Sequence, residues 1–301
     1  MFSIKYFQDD DNNQSNFLGE EKLIDIEEFL LYEWKSDKKI YINKKFIKSK
    51  CYRWRLLGVK DIPALGTIRS LNVILKEVAT ENDEYLTQTL KRNKARGAGG
   101  IGSLLHKGKL VEVEFGHYSS VYKANTGKHL RSNKRYVSTV QNGEMHKRRL
   151  AIVTKVHNNM VQVVPITSQP PDVRDKTCFK LEQDTLKETV YFDPKIDSWV
   201  ICSMIQTVAV TRILPIEINK SYRKSRERPR NSSYRLKISK TDSINLDKAL
   251  LSAVNLGQYF DYFTTNKELQ KELIDLKEQL KEALKYKEAC EKHEFTLEDL
   301  A

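Results

Sequence analysis

The sequence predicts an α+β protein: a small, largely antiparallel β-barrel in the middle of the chain, with helical regions on both sides. Three observations predict it. Between about 107 and 216 the apolar runs are short, rich in β-branched residues and separated by turn residues, as in a compact β unit. Before that stretch, apolar residues recur at mostly helical spacing in two long segments. After it, a leucine seam steps alternately by four and three residues. The division that follows is an N-terminal, mainly helical extension at 1–105, the barrel at 107–216, a basic linker at 217–240 and a helical, coiled-coil region at 241–301.

In chain order, residues 8–16 are polar and read as disordered. At 20–34, Leu23, Ile24, Ile26, Phe29, Leu30, Leu31 and Trp34 fit one helix face. Residues 39–48 suggest a short strand and turn. At 67–92, Leu71, Ile74, Leu75, Val78, Leu86 and Leu90 read as a long helix ending in a basic run and a glycine cluster. Residues 110–115 (Leu-Val-Glu-Val-Glu-Phe) alternate as a half-buried strand should. Residues 150–155 and 161–167 are two more strands around the Asn158-Asn159 turn. Residues 178–181 and 200–210 complete the sheet. A helix at about 245–263 follows, and the capping-box pattern from Thr265 to Glu268 starts another. That last helix carries Leu269, Leu273, Leu276, Leu280 and Ala283, about two heptads of seam.

Composition narrows the function. Lys and Arg number 52 against 40 Asp and Glu, a net charge of +12, which suits a polyanionic partner. No apolar run of 18 residues exists, so no transmembrane helix is expected. The first eleven residues do not resemble a secretory signal. Cys51, Cys178, Cys202 and Cys290 are far apart and form no metal-site spacing, which fits a reduced cytoplasmic protein. The six histidines have no ligand spacing either, so neither a metal nor any other cofactor is expected. The run from Gly97 to Gly102 matches GxGxxG, but a basic helix end precedes it where a nucleotide fold needs a strand, and it reads as a connector.

The chemistry concentrates in two neighbouring strands. Lys147, Arg148 and Arg149 enter one, and the next ends at Pro165 with Thr167 and Ser168 beyond it. Adjacent strands would bring an arginine and hydroxyls together. A guanidinium can hold a phosphate bidentately and stabilise charge developing on its oxygens. A basic strand edge beside a turn is the alternative reading. The segment 116–149 is long for a connection. It carries Lys123, Lys128, Arg131, Lys134, Arg135, Lys147, Arg148 and Arg149, with Tyr118, Tyr122 and Tyr136 between them and Glu144 as its only acid. Positive charge tracks a phosphate backbone and aromatics stack on unpaired bases. A second basic patch at 38–60 contains Tyr41, Phe46, Tyr52 and Trp54, which serve equally as a stacking surface or as core.

Four motifs in order carry a resemblance. Residues 109–116 resemble the opening strand "GDIV.VDFG" of the MazF/PemK family of toxins. Glu144-Met145-x-Lys147-x-Arg149 followed by Leu-Ala-Ile-Val resembles its "PEM.K.RPVVV". Residues 163–168 (Val-Val-Pro-Ile-Thr-Ser) resemble "VVPITS", and 198–214 resemble "S.V.CDMI.TVS..RL". The resemblance covers a little over a third of the chain. It implies an SH3-like barrel of the MazF/PemK/CcdB type, usually dimeric, and a metal-independent endoribonuclease acting on single-stranded RNA. The family's catalytic arginine falls on Arg149 and its catalytic threonine on Thr167, with Ser168 beside it. Leu150 replaces the family's proline. Ser203 stands where the family has an acid, so Glu144 and His146, just before Arg149, become candidate substitutes.

The resemblance also implies an antitoxin partner and no membrane. Two other functions stay open: a non-catalytic nucleic-acid-binding or regulatory module, which Ser203 favours, and a toxin acting on a protein target, as the gyrase poison CcdB does. Residues 266–301 carry ten acids against seven bases. That segment could fold over the basic groove, or it could dimerise.

Overall fold

The structure is a computed structural model. It describes residues 2–9, 15–32, 39–65, 68–78, 85–124, 126, 128–130, 133–223 and 229–292. The chain is mixed α+β, with several sheets and four α-helices among the described residues.

The N-terminal region is a sheet, not the helical extension expected. Strands β1 (Phe2–Asp9), β2 (Ser15–Leu23), β4 (Ile40–Asn43), β5 (Arg53–Leu65) and β6 (Ile68–Glu77) align in the order β2-β1-β6-β5-β4. β1 and β6 run parallel and the other pairs antiparallel. Two causes explain the misreading. Leu71, Val73 and Leu75 bury one face at a period of two, while Ile74 and Val78 made the run look helical; of the helix expected at 67–92 only the end, from Leu86, is helix. Asp25 takes a left-handed φ of 56°, which an α-helix cannot contain, and splits 20–34 into β2 and β3 (Glu28–Tyr32). Trp34 and residues 10–14 lie outside the described residues. Phe2, Ile4, Phe46, Trp54 and Leu75 centre this first core.

β3 leaves that sheet. It pairs antiparallel with β8 (Ser119–Lys123), which in turn pairs with β9 (His129–Leu130). Part of the long basic segment is therefore sheet. Tyr122 stacks on Phe29 at 5.4 Å and 19°, and packs against the N-terminal core.

Helices α1 (Leu86–Ala95) and α2 (Ile101–Leu104) lead into the central sheet. It comprises β7 (Leu110–Glu114), β10 (Arg148–His157), β11 (Met160–Thr167), β12 (Cys178–Lys180), β13 (Trp199–Ile201), β14 (Gln206–Ala209) and β15 (Ile213–Leu214). Their order is β12-β13-β11-β10-β7-β15, with β14 also on β11. Among the described residues this path is open, with β12 and β15 at its ends, rather than the closed barrel expected. The run 200–210 is broken by a 3-10 turn at Cys202–Met204, which moves the chain from β13 to β14 along one edge of β11. The Asn158-Asn159 turn forms as expected, with Asn158 at φ 51° between the paired His157 and Met160.

Both faces of this sheet are buried. Val111, Val113, Ala151, Val153, Val161 and Val163 face α1 and α2 through Leu86, Leu90 and Leu105. Leu110, Ile152, Val164 and Ile166 face Leu246 and Ala249 of α3 (Lys240–Ala253). Each strand sends odd and even residues to opposite cores, as pleating requires. β7 is thus not half-buried: Glu112 is fully enclosed and holds Arg230 at 2.8 Å and the Tyr191 hydroxyl at 2.6 Å. A buried carboxylate survives only with such partners.

The 217–240 stretch is not a solvated linker. Ile218 and Tyr234 are buried, and Leu110 donates its amide to the Leu236 carbonyl at 3.1 Å. After α3 the chain turns at Asn255, φ 60°, and enters α4 (Gly257–Lys292), 36 residues without interruption. Thr265 lies inside this helix and does not start it. The 294–301 tail lies outside the described residues.

Candidate active site

Strand pairing brings the two expected catalytic residues together. Ala151 stands opposite Pro165 in the β10–β11 ladder. Two residues further along each strand, past the paired stretch, are Arg149 and Thr167. Both share the face of Ala151, because side chains alternate. There the apolar packing ends and a cleft of about 290 Å³ opens, lined by both residues with Tyr118, Glu144, His146 and Gln169. Both are half-buried. Among the described residues the Arg149 side chain makes one hydrogen bond, from Nε to the His146 carbonyl at 3.1 Å. Its two terminal nitrogens are left for a ligand. Thr167 Oγ1 accepts the Gln169 amide at 3.2 Å, so its proton can be donated.

His146 lies over Tyr118, ring centroids 4.1 Å apart at 33°. Its Nδ1 is 3.1 Å from the Glu144 carbonyl, which can only accept. Nδ1 therefore carries the proton in the neutral ring and the lone pair sits on Nε2. Glu144 is exposed, and its carboxylate caps the local turn by accepting the Gln141 amide at 2.9 Å. The structure puts its main-chain carbonyl, more than its acid, to use at His146. Ser168 is exposed and is not part of the cleft wall. Ser203 is exposed on the 3-10 turn, between Cys202, which is buried, and Met204, which lines the cleft. Gln169 carried no motif, and its position two residues past the strand end was the only signal for it.

The turn before Arg149 explains how neighbouring cations separate. Gly116 sits at φ 106°, where a Cβ would meet Val140 at 3.2 Å, and its carbonyl accepts the Lys147 amide at 2.6 Å. Lys147 itself adopts φ 67° and is half-buried. Arg148, one residue before Arg149, points to the opposite face. Its Nε and Nη2 donate to Glu114 Oε1 at 3.0 and 2.7 Å, and its guanidinium lies 4.3 Å from the Tyr41 ring centroid. Arg53, also inside, donates to the same oxygen at 2.5 Å, and the Tyr85 hydroxyl reaches Oε2 at 2.6 Å. Arg148 is thus a joint between β4, β5 and β7, not the surface contact for nucleic acid expected of it.

The other cations of the segment divide. Lys123, Lys128 and Lys134 are exposed. Arg135 is exposed and pairs with Glu28 at 2.5 Å, while the Tyr136 hydroxyl takes the other Glu28 oxygen at 2.9 Å. Arg131 lies outside the described residues. In the 38–60 patch, Trp54 and Phe46 are core, and Trp54 Nε1 donates to the Lys44 carbonyl at 2.8 Å. Tyr52 remains exposed. Among the described residues no group of three or more His, Cys, Asp or Glu could hold a metal ion, and no helix is long and apolar enough to cross a membrane.

Residues 136–252 match the family model of PemK-like, MazF-like toxins of type II toxin–antitoxin systems. The PemK-like segment holds Arg149, Thr167, His146 and Gln169 together. It runs on through α3, which the sequence motifs had left out and which covers one face of the sheet. It begins after β7, although β7 is physically the neighbour of β10. No curated protein matches the chain.

Proposed function

We infer that the PemK-like segment cleaves single-stranded RNA, without a metal, at the cleft between the ends of β10 and β11. The observation that carries this reading is that Arg149 and Thr167, on neighbouring strands, line one cleft. The ribose 2′-oxygen attacks the adjacent phosphorus, and the bond from phosphorus to the 5′-oxygen breaks. The products are a 2′,3′-cyclic phosphate and a free 5′-hydroxyl. His146 Nε2 takes the 2′-hydroxyl proton, and a proton returns to the leaving oxygen from Arg149 or water. Arg149 stabilises the added charge on the non-bridging oxygens. Thr167 donates to one of them and fixes the phosphate. Tyr118, in tilted contact with His146, offers its free face to an unpaired base, and Lys123, Lys128 and Lys134 attract the backbone.

This reading includes the partners and place of action that go with it. The strands around β11 would serve as an open variant of the SH3-like barrel. A cognate antitoxin would cover the cleft, the active form would be a homodimer, and the free cysteines suit the reducing cytoplasm where RNA is made.

Cleavage of a mixed single-stranded RNA in EDTA tests it. The wild type should leave cyclic phosphate ends, and Arg149→Ala should lower the rate by about a hundredfold or more. Equal cleavage by both proteins would overturn the assignment of Arg149. Ser203, exposed and outside the cleft wall, favours a second reading in which the cleft binds RNA without cutting it. RNA binding with no cleavage by the wild type would select that reading.

A further inference from the structure

The largest unpartnered feature is α4. No residue along its 36 positions is buried. Among the described residues it is anchored at its base, where Phe260 lies 6.0 Å beneath Lys248 of α3. A helix of this length projects about 54 Å at 1.5 Å per residue. Its continuity through Thr265 changes the seam. The heptad core now runs Tyr259, Tyr262, Asn266, Leu269, Leu273, Leu276, Leu280, Ala283, Lys287 and Cys290, more than four heptads instead of two. The large members are half or more exposed: Tyr262 68%, Leu269 56%, Leu273 52%, Leu276 59% and Leu280 61%. Such a stripe needs a cover.

We propose that α4 pairs with α4 of a second copy of this chain as a parallel, in-register, two-stranded coiled coil. Polarity along the seam selects this partner and direction. With Leu269 and Leu276 at d, Asn266 falls at an a position. In a parallel pair the two Asn266 amides meet and satisfy each other, whereas an antiparallel pair sets Asn266 against an apolar layer. The flanking charges agree. Glu272 occupies a g position and Lys277 the e position that a parallel partner places beside it. The other g–e′ pairs are Gln258–Phe263, Thr265–Gln270, Gln279–Leu284 and Tyr286–Glu291, so none opposes like charges. Lys287, at a near the end, lies 3.8 Å from Glu291 of its own helix and can reach out of the seam. This pairing does not depend on what the cleft does.

The full-length protein tests it by two readouts. Sedimentation equilibrium should show a dimer. Mild oxidation should link it through Cys290, because a parallel register puts the two thiols in one d layer, while an antiparallel one separates them by tens of ångströms at 1.5 Å per residue. Cys290→Ser should abolish the link, and so should Leu273→Glu with Leu280→Glu. Glu272→Lys should weaken the dimer roughly tenfold through two lost pairs and their repulsion, and adding Lys277→Glu should restore it. That rescue is something a merely misfolded helix cannot give. A monomer, as expected when α4 masks its own cleft or waits for a foreign helix, would overturn the proposal. So would a dimer lacking the Cys290 link, or a link that survives Leu273→Glu with Leu280→Glu.

Discussion

Arg148 and Arg149 are adjacent, identical in chemistry and opposite in duty. Arg149→Ala removes a guanidinium from the cleft wall and should slow cleavage about a hundredfold or more while leaving the melting temperature nearly unchanged. Arg148→Ala withdraws a hydrogen-bonded cation from Glu114, which keeps Arg53 and Tyr85. It should cost about 2 kcal/mol in urea unfolding and leave RNA affinity per folded molecule intact. Alternation along β10 was legible in the sequence. Which arginine turned inward was not, because the deciding carboxylate, Glu114, belongs to another strand. His117 adds a pH dependence. Burial, reinforced by His146, Arg148 and Lys147 and opposed by Glu114, holds its imidazole down at about 4. The unfolded chain protonates near 6.5, so it binds the proton first as pH falls. Stability should therefore decline between pH 6.5 and 4, and urea midpoints for His117→Gln should decline less over that window.

At the scale of elements, α3 is the clearest case of a piece whose role only packing reveals. The sequence marks a helix there, but nothing in its period says that Leu246 and Ala249 cover Ile152 and Val164. Leu246→Ala should cost about 3 kcal/mol, read from denaturant midpoints, and should accelerate proteolysis of the central sheet. The strands of that sheet were legible because β-branched runs and the Asn158-Asn159 turn speak locally. Of the N-terminal strands only β4, inside the strand expected at 39–48, was legible. Leu71, Ile74 and Leu75 fit a helical period while Leu71, Val73 and Leu75 fit a period of two, and the choice was made by a parallel pairing with β1 more than sixty residues earlier. The 217–240 stretch failed for a related reason. Its charges read as solvent-facing, yet Arg230 is consumed by Glu112.

Across the described residues, the N-terminal and central parts of the chain are joined through a third sheet and through a buried charge cluster. β3 supplies the partner of β8, and Arg53 with Tyr41 encloses Arg148 and Glu114. A fragment spanning 107–301 should consequently show no cooperative thermal transition, whereas a separable extension would leave one. The candidate cleft was legible because its two main residues lie on neighbouring strands with strong motifs. Its wall at Tyr118 depends on the segment that β3 holds in place.

Glu112 and Arg230 stand 118 residues apart in the chain yet meet inside the central sheet. Translation adds roughly 5–20 residues per second, so several seconds separate the birth of the carboxylate from that of the cation that neutralises it. During that interval β7 carries an acid whose earlier partners are Arg148, at 3.8 Å, and the neutral Tyr191 hydroxyl, at 2.6 Å. The sheet therefore settles after Arg230 has emerged, and α3 seals it later still. The order of manufacture becomes a safety catch: Arg149 and Thr167 are made near the middle of synthesis, but the ribosome finishes most of its work before the cleft they line is complete.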